Sequence, residues 1–574
     1  MNLTALPLIF EEIAALLEIK GENPYKVRAY QNAAKVLSQI DNLEELIIEG
    51  RLKKIEGIGE GLSRKIEEYY ERGTISLYEE LKREFPPSIL ELMKVPHLGP
   101  KRIRVIYEKL GITNLGELEY AIKENRLMTL FGFGKKTQEK ILAGIEFLKK
   151  HQNEFLLVDA EPRALMLKEI LKERFPLCRV EICGSIRRRK ETVRDIDVLV
   201  GGESKEKVIE YLLRLPLIQG LIFEDENSAV FKTVSGINVE IRIAAPPEYA
   251  HLLLHLTGSE NHIKKLKAHF KNEGLSLNPS SITNGEKLIT LNTEEEIYNF
   301  IGLQFIPPEL REDMGELEAA KKNGLPELVK EEDIKGLFHV HSDFSDGIDP
   351  IEKIIEFCKK MGMEYVGISD HSRSAYYARG LKVEDLKRQW EIIDEINRKE
   401  ESFYVFKGIE SDILPDGSLD YPPEILRNFD FVIASVHSHF NLGIKEQTER
   451  IKKALENPYV TMLGHPTGRL LLSRKGYAVD MEEILRTAKE RGIVIELNSS
   501  PYRLDMDWRY LKMTKSNGIL ISINPDAHSK TELTDLAYGV AIARKGWLEK
   551  KDVLNTRSSS ELREFFLKKR KNSL

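Results

Sequence analysis

The chain has 574 residues and a formal net charge of −6 at pH 7. That length exceeds what one hydrophobic core can organise and predicts three or four domains; the charge excludes a uniformly basic nucleic-acid binder, so any such binding must come from local geometry. No apolar run reaches membrane-spanning length, the start of the chain turns acidic at Glu11 and Glu12 without a basic leader, and Cys178, Cys183 and Cys358 show no zinc spacing, so a reducing cytoplasm and no membrane partner are expected.

Residues 1–150 read as helical throughout, with 24 Lys/Arg against 23 Asp/Glu. One pattern recurs there: hydrophobic, any residue, Gly, hydrophobic, Gly, then a helix. The copies are IEGIGEGLSRKI with Gly57 and Gly59, VPHLGPKRIRVI with Gly99 and with His97 in the first glycine's place, and LFGFGKKTQEKI with Gly132 and Gly134. This is the helix-hairpin-helix pattern. Its glycines let the backbone approach a phosphate, and the following helix offers free N–H groups and a positive dipole end. Such contacts hold DNA without reading its sequence.

Residues 151–250 centre on EICGSIRRRKETVRDIDVLV, residues 181–200. A Gly184-Ser185 turn and a basic run precede Asp195 and Asp197, two apart on a predicted strand and so on one face, roughly 6.5–7 Å apart. Paired carboxylates suit hard divalent cations, and the turn suits a phosphate. The bland alternative is a surface strand with two solvated aspartates.

Gly-Ser, an Arg-rich turn and D-x-D on a strand together resemble the nucleotidyltransferase palm of a family X DNA polymerase. NPYKVRAYQNAAKVL, residues 23–37, resembles that family's opening helices. The resemblance implies Mg²⁺ or Mn²⁺ on Asp195, Asp197 and a third carboxylate. Glu240 in INVEIRIA stands where the family usually has Asp. It further implies nucleotide contacts from Gly184, Ser185, Arg188 and the Thr257-Gly258-Ser259 turn. His255, Leu256 and Ile263 depart from the family's aromatic pair and Asn. Residues 251–320 read as the thumb, with Lys264 and Lys267 in a phosphate-facing stripe. The resemblance also places Lys65 where the family can carry a Schiff-base lyase lysine. No sequence neighbour supplies the desolvation or cation that such a nucleophile needs, and a solvated lysine is expected.

Residues 321–336, KKNGLPELVKEEDIKG, read as a polar linker. Beyond it, seven of the chain's thirteen histidines fall between 339 and 528. Most follow short β-rich runs separated by helical segments, which predicts a parallel barrel with chemistry at its strand C-termini. Imidazoles and carboxylates gathered there suit Zn²⁺ or Mn²⁺. Residues 337–574 resemble a PHP (polymerase and histidinol phosphatase) domain. That likeness implies a distorted (β/α)7 barrel, a cluster of three ions, and nine ligands: His339, His341, Asp346, His371, Glu410, His437, His465, Asp526 and His528. His439 falls outside the set.

The expected protein is multidomain: an all-α hairpin region, an α+β palm and thumb, and the barrel. The expected function is gap-filling repair synthesis, as in base excision repair, with metal-dependent 3′–5′ exonuclease or abasic-end processing. Partners would be gapped or nicked DNA and dNTPs, acting on a monomer. Two alternatives remain from the residues: chiefly a metallonuclease with a weakened palm, or a non-catalytic DNA-end scaffold.

Overall fold

A computed structural model describes residues 3–571 other than 41, 87, 97, 124–126, 128–129, 131, 151–153 and 473–474. His97 therefore lies outside the described residues. The chain forms two compact units: Met1–Asn153 with Arg214–Gln219, and Glu154–Leu213 with Gly220–Leu574.

Up to residue 150 the first unit is helical among its described residues. Each hairpin ends on a helix: α1 (Glu60–Arg72), α2 (Pro100–Leu110) and α3 (Lys135–Lys150). Leu62, Ile66 and Tyr69 bury one stripe of α1, and Ile103 and Ile106 do so on α2, the spacing an amphipathic helix requires.

The second unit begins with a five-stranded sheet. Its strands are β1 (Arg179–Ile182), β2 (Asp195–Gly201), β3 (Ile218–Glu224), β4 (Ser228–Thr233) and β5 (Asn238–Ala244). The order is β1-β2-β5-β4-β3. The β2–β5 pair is parallel, with Asp197 opposite Glu240. Helices α4 (Tyr249–Thr257) and α5 (Glu260–Asn272) then lead into a smaller layer with its own core around Phe270, Ile297 and Tyr298.

Residues 321–336, expected as a linker, are docked. Leu328 bridges to Glu549, the Val329 N–H donates to the Leu548 carbonyl, and Val329 and Ile334 are buried in the barrel core. Three apolar side chains in a polar stretch suffice to fix it.

Seven parallel strands follow in consecutive order: β6 (Gly336–Val340), β7 (Tyr365–Ile368), β8 (Tyr404–Asp412), β9 (Phe431–Ser435), β10 (Met462–Leu463), β11 (Val494–Asn498) and β12 (Ile521–Asn524). A parallel bridge from Val340 to Ala527 joins the first strand to the last. This is the distorted (β/α)7 barrel expected. An aromatic layer of Phe338, Phe406 and Phe431, packed against Phe566 from helix α6 (Ser559–Lys571), fills the end where the strands begin. The opposite end is left to polar side chains.

Candidate active sites

Parallel pairing of β2 and β5 brings Asp195, Asp197 and Glu240 to one half-buried face of the sheet. Their charges act on one another. Burial first, then Asp195 and Glu240, push the Asp197 carboxyl up to about 7. Burial and Glu240 likewise raise Asp195. Crowded carboxylates of this kind are relieved by a bound cation, so the residues present fit a divalent ion. The fit is looser than in the barrel: the side-chain groups whose ligand atoms come within 4.8 Å of one another among the described residues all lie in the barrel. Arg242 accounts for part of this, since its Nη2 donates to Glu240 Oε1 at 2.8 Å.

The expected Gly-Ser turn is a single helical turn, Gly184–Arg187. Gly184 has φ +61, and a Cβ there would sit 1.8 Å from Asp197 Oδ2. Only glycine lets this backbone pass so close to the carboxylate. Ser185 is half-buried beside it.

The Thr257-Gly258-Ser259 turn spends its side chains internally. Thr257 Oγ1 accepts from Arg187 Nη1 at 2.7 Å, and Ser259 Oγ caps α5 by accepting from the His262 N–H at 3.2 Å. A Cβ at Gly258 would meet Ile263 at 2.7 Å. Arg188 donates from Nε to Glu312 at 2.9 Å and from Nη1 to the Thr257 carbonyl at 2.8 Å, and its charge is felt at Asp197. Lys264 is exposed on α5 and Lys267 half-buried.

At the barrel's strand C-termini all nine expected ligands fall into four overlapping groups: His341–Asp346–His371–His528, His339–Glu410–His465, His339–His341–Asp526, and His371–Glu410–His437. Glu410 lies at the centre. His465 Nε2 stands 2.9 Å, His437 Nε2 3.1 Å and His339 Nε2 3.2 Å from its Oε1, with His371 Nδ1 2.9 Å from Oε2. Burial opposes its charge, but His437, His339 and His371 hold the carboxyl well below the usual carboxylate range. Burial, with His528 and His371 nearby, pushes His341 down to about 3. Among the described residues His339 Nε2, both His341 nitrogens and Glu410 Oε2 are buried without a hydrogen-bond partner. Orphaned polar atoms at this density are costly, and cations would satisfy the free lone pairs among them. The donor set of imidazoles and carboxylates fits Zn²⁺ or Mn²⁺.

Backbone strain supports this end of the barrel. His339, His465 and Asp526 have φ of 56, 23 and 53, a region that side-chain-bearing residues occupy at a cost of about 1–3 kcal/mol. At His339 it accompanies a register shift between Leu337 and Val340. Buried acids fix the rings from behind: His339 Nδ1 pairs with Glu496 at 2.6 Å and His437 Nδ1 with Asp412 at 2.6 Å. Such outer partners set ring orientation. Glu496 and Asp412 escaped the sequence reading. The sign was there for Glu496, the lone charge inside the apolar run IVIELN. Arg503, also missed, stands 3.4 Å from Asp526. His439 lies outside all four groups.

In the hairpins the residues beside the glycines, Ile58, Leu98 and Phe133, are buried, while Gly59, Gly99 and Gly134 are exposed, with nothing within 4 Å of an added Cβ. Gly57 and Gly132 take φ of 92 and 84. Internal packing does not require glycine at 59, 99 or 134. An approaching ligand backbone would. Lys65 lines a groove of about 680 Å³ with Lys26, Tyr30, Gly57 and Gly59, 3.7 Å from Glu68.

Four family models match: a helix-hairpin-helix domain over residues 5–75, a SAM-like helix-hairpin-helix tandem over 89–146, the DNA polymerase beta thumb over 252–312 and the PHP domain over 338–500. The Bacillus subtilis (strain 168) protein named DNA polymerase/3'-5' exonuclease PolX is 37% identical over 566 residues, 98% of this chain and 98% of that protein. The chain belongs to the family X DNA polymerases that carry a PHP domain. The palm carboxylates, between the matched hairpin and thumb regions, lie within that full-length match. Shorter relatives carry a different name: a "Probable phosphatase" of Caldicellulosiruptor saccharolyticus is 30% identical over 210 residues, 34% of this chain and 80% of that protein. Another, from Thermoanaerobacter sp. (strain X514), is 27% identical over 228 residues, 37% and 85% of the two chains. No helix among the described residues is long and apolar enough to cross a membrane.

Proposed function

We propose that this family X member is a cytoplasmic, monomeric DNA repair polymerase. Its palm fills short gaps by template-directed nucleotidyl transfer, and its barrel trims 3′ ends or processes abasic ends. The observation that carries the reading is the pair of separate cation-holding clusters on one chain: three carboxylates on the palm face, and nine imidazoles and carboxylates at the barrel mouth.

Asp195, Asp197 and Glu240 would hold Mg²⁺ or Mn²⁺, with Gly184, Ser185 and Arg188 facing the triphosphate of a dNTP. The nine barrel side chains would hold three Zn²⁺ or Mn²⁺ ions. Bound there, such ions lower the pKa of an attacking hydroxyl or water and neutralise phosphate oxygens. The exposed hairpin glycines and Lys264 and Lys267 would grip the phosphates of gapped or nicked DNA without sequence preference.

One preparation assayed for extension at a one-nucleotide gap and for 3′ digestion, with Mg²⁺ and Mn²⁺ titrated, tests the whole. Both activities are expected. Digestion without extension in either metal would instead support a chiefly nucleolytic enzyme, the reading favoured by Glu240 being tied to Arg242. A protein inert in both assays and empty of metal would be a scaffold.

Gly184→Ala gives a sharper result. The new methyl must displace Asp197 or the turn, and misplacement near 1 Å costs on the order of 100-fold in rate. Extension should fall by at least that factor while 3′ digestion is unchanged. Extension equal to that of the unsubstituted protein would show that this close approach is not needed.

A further inference from the structure

The palm's nucleotide turn rests on the barrel. Helix Leu536–Lys545 ends in a lysine whose side chain is fully buried. The Lys545 ammonium donates to Glu312 Oε1 at 2.6 Å and to the Arg188 carbonyl at 3.0 Å. It lies 4.6 Å over the Trp508 ring, and Trp508 Nε1 donates to Glu191 at 3.2 Å, three residues beyond Arg188. The same Glu312 oxygen accepts from Arg188 Nε at 2.9 Å. One buried carboxylate is thus shared by a barrel cation and the palm arginine.

The charge arithmetic decides what this sharing does. Lysine, glutamate and arginine together carry one net positive charge. Without the lysine, Glu312 would neutralise Arg188 alone. A buried ion pair holds its partner strongly when nothing competes for it, so Arg188 would lose attraction for a second anion.

We propose that Lys545 is a positioning residue for nucleotide addition: held in the barrel, it offsets Glu312 and anchors the Arg188 backbone, so that the Arg188 guanidinium keeps its attraction for an incoming deoxynucleoside triphosphate. The inference rests on the palm being a polymerase site. It goes beyond that reading by giving the barrel a part in synthesis that is separate from its own chemistry.

The test uses the full chain, with Lys545→Met matching the stem without its charge and Lys545→Arg restoring the charge. If the unsubstituted protein fails to extend a gapped primer, the underlying reading falls and this inference with it. Where it does extend, Lys545→Met should raise KM for the dNTP about tenfold, the loss of a binding interaction rather than of a chemical group. Affinity for gapped DNA and 3′ digestion should change little, and Lys545→Arg should recover most of the KM. Unchanged KM in a folded Lys545→Met protein would overturn the proposal. So would a fall in DNA affinity, digestion and extension together, the mark of a merely structural contact. Should Lys545→Met not fold, Glu312→Gln reads the same triad from its centre: relieving Arg188 of its counter-charge should lower KM, and a raised or unchanged KM would refute the charge argument.

Discussion

In an Asp197→Asn protein, extension of a primer at a one-nucleotide gap is expected to fall by about 10²–10³-fold, the scale of losing a charge-stabilising group from a catalytic site, while 3′ digestion continues. Asp197 stands opposite Glu240 on the paired strand and two residues from Asp195 on its own. It is therefore the carboxylate that both of the others face. Its crowding has a second consequence. Burial, Asp195 and Glu240 push Asp197 up to about 7, so protons and a divalent cation compete for it near neutrality. Extension at limiting Mg²⁺ should rise with pH through about 7, and the midpoint should move down as Mg²⁺ is increased. A carboxyl whose pKa is raised on folding stabilises the fold fully below its unfolded value near 4, and that contribution is lost as pH rises through about 7. Chelated protein should thus lose stability across that window, and Asp197→Asn should remove this part of the loss. Paired extension and Tm profiles, with chelator and with Mg²⁺, read both effects. An extension profile flat through pH 7 would mean that Asp197 does not hold the ion.

The palm and barrel differ in how plainly the sequence announces them. Most of the barrel candidates follow or end a short apolar run, so the strand rule alone brings His371, His437, His465 and Asp526 to one end. The structure gathers them within ligand distance. What strand geometry could not give is the φ of 56 at His339, because a local backbone reversal leaves no mark on a hydrophobic pattern. Nor could it give Glu496 and Asp412 behind the rings, which depend on how adjacent strands are staggered. At the palm, the D-x-D spacing predicted a shared face for the two aspartates, and the register of β2 against β5 sets Glu240 opposite Asp197. The Thr257 and Ser259 hydroxyls were expected beside the nucleotide. The structure turns them to Arg187 and to the end of α5 instead. A motif fixes which residues stand at a turn, but packing decides which atoms remain free. Residues 321–336 make the same point: composition suggested a polar linker, and a few buried aliphatic side chains bind it to the barrel.

Glu410→Gln should be the most damaging single change in the barrel. Five imidazoles converge on this one carboxylate: His339, His437 and His465 at Oε1, His371 and His341 at Oε2, all between 2.9 and 3.7 Å. Glutamine keeps the shape and removes the charge. It also turns an amide N–H₂, which cannot ligate a cation, toward nitrogens that must stay free for metal. Two of the four ligand groups contain Glu410, and the group of His341, Asp346, His371 and His528 does not. The variant should therefore lose part of its metal, not all, when dialysed against Mn²⁺ and analysed per chain. Its 3′ digestion should fall by roughly 10³-fold or more, since phosphate chemistry of this kind requires the ions together. Primer extension should persist, because the side chains that meet this carboxylate among the described residues all belong to the barrel. The protonation state of the cluster should change as well. Burial alone would lower His437, yet Glu410 and Asp412 raise it to about 10, so removal of the carboxylate charge should release a proton from that ring in metal-free protein. An imidazole resonance of His437 that titrates at lower pH in the variant would report this directly. Full metal content together with full digestion would show that Glu410 is not the centre of the site.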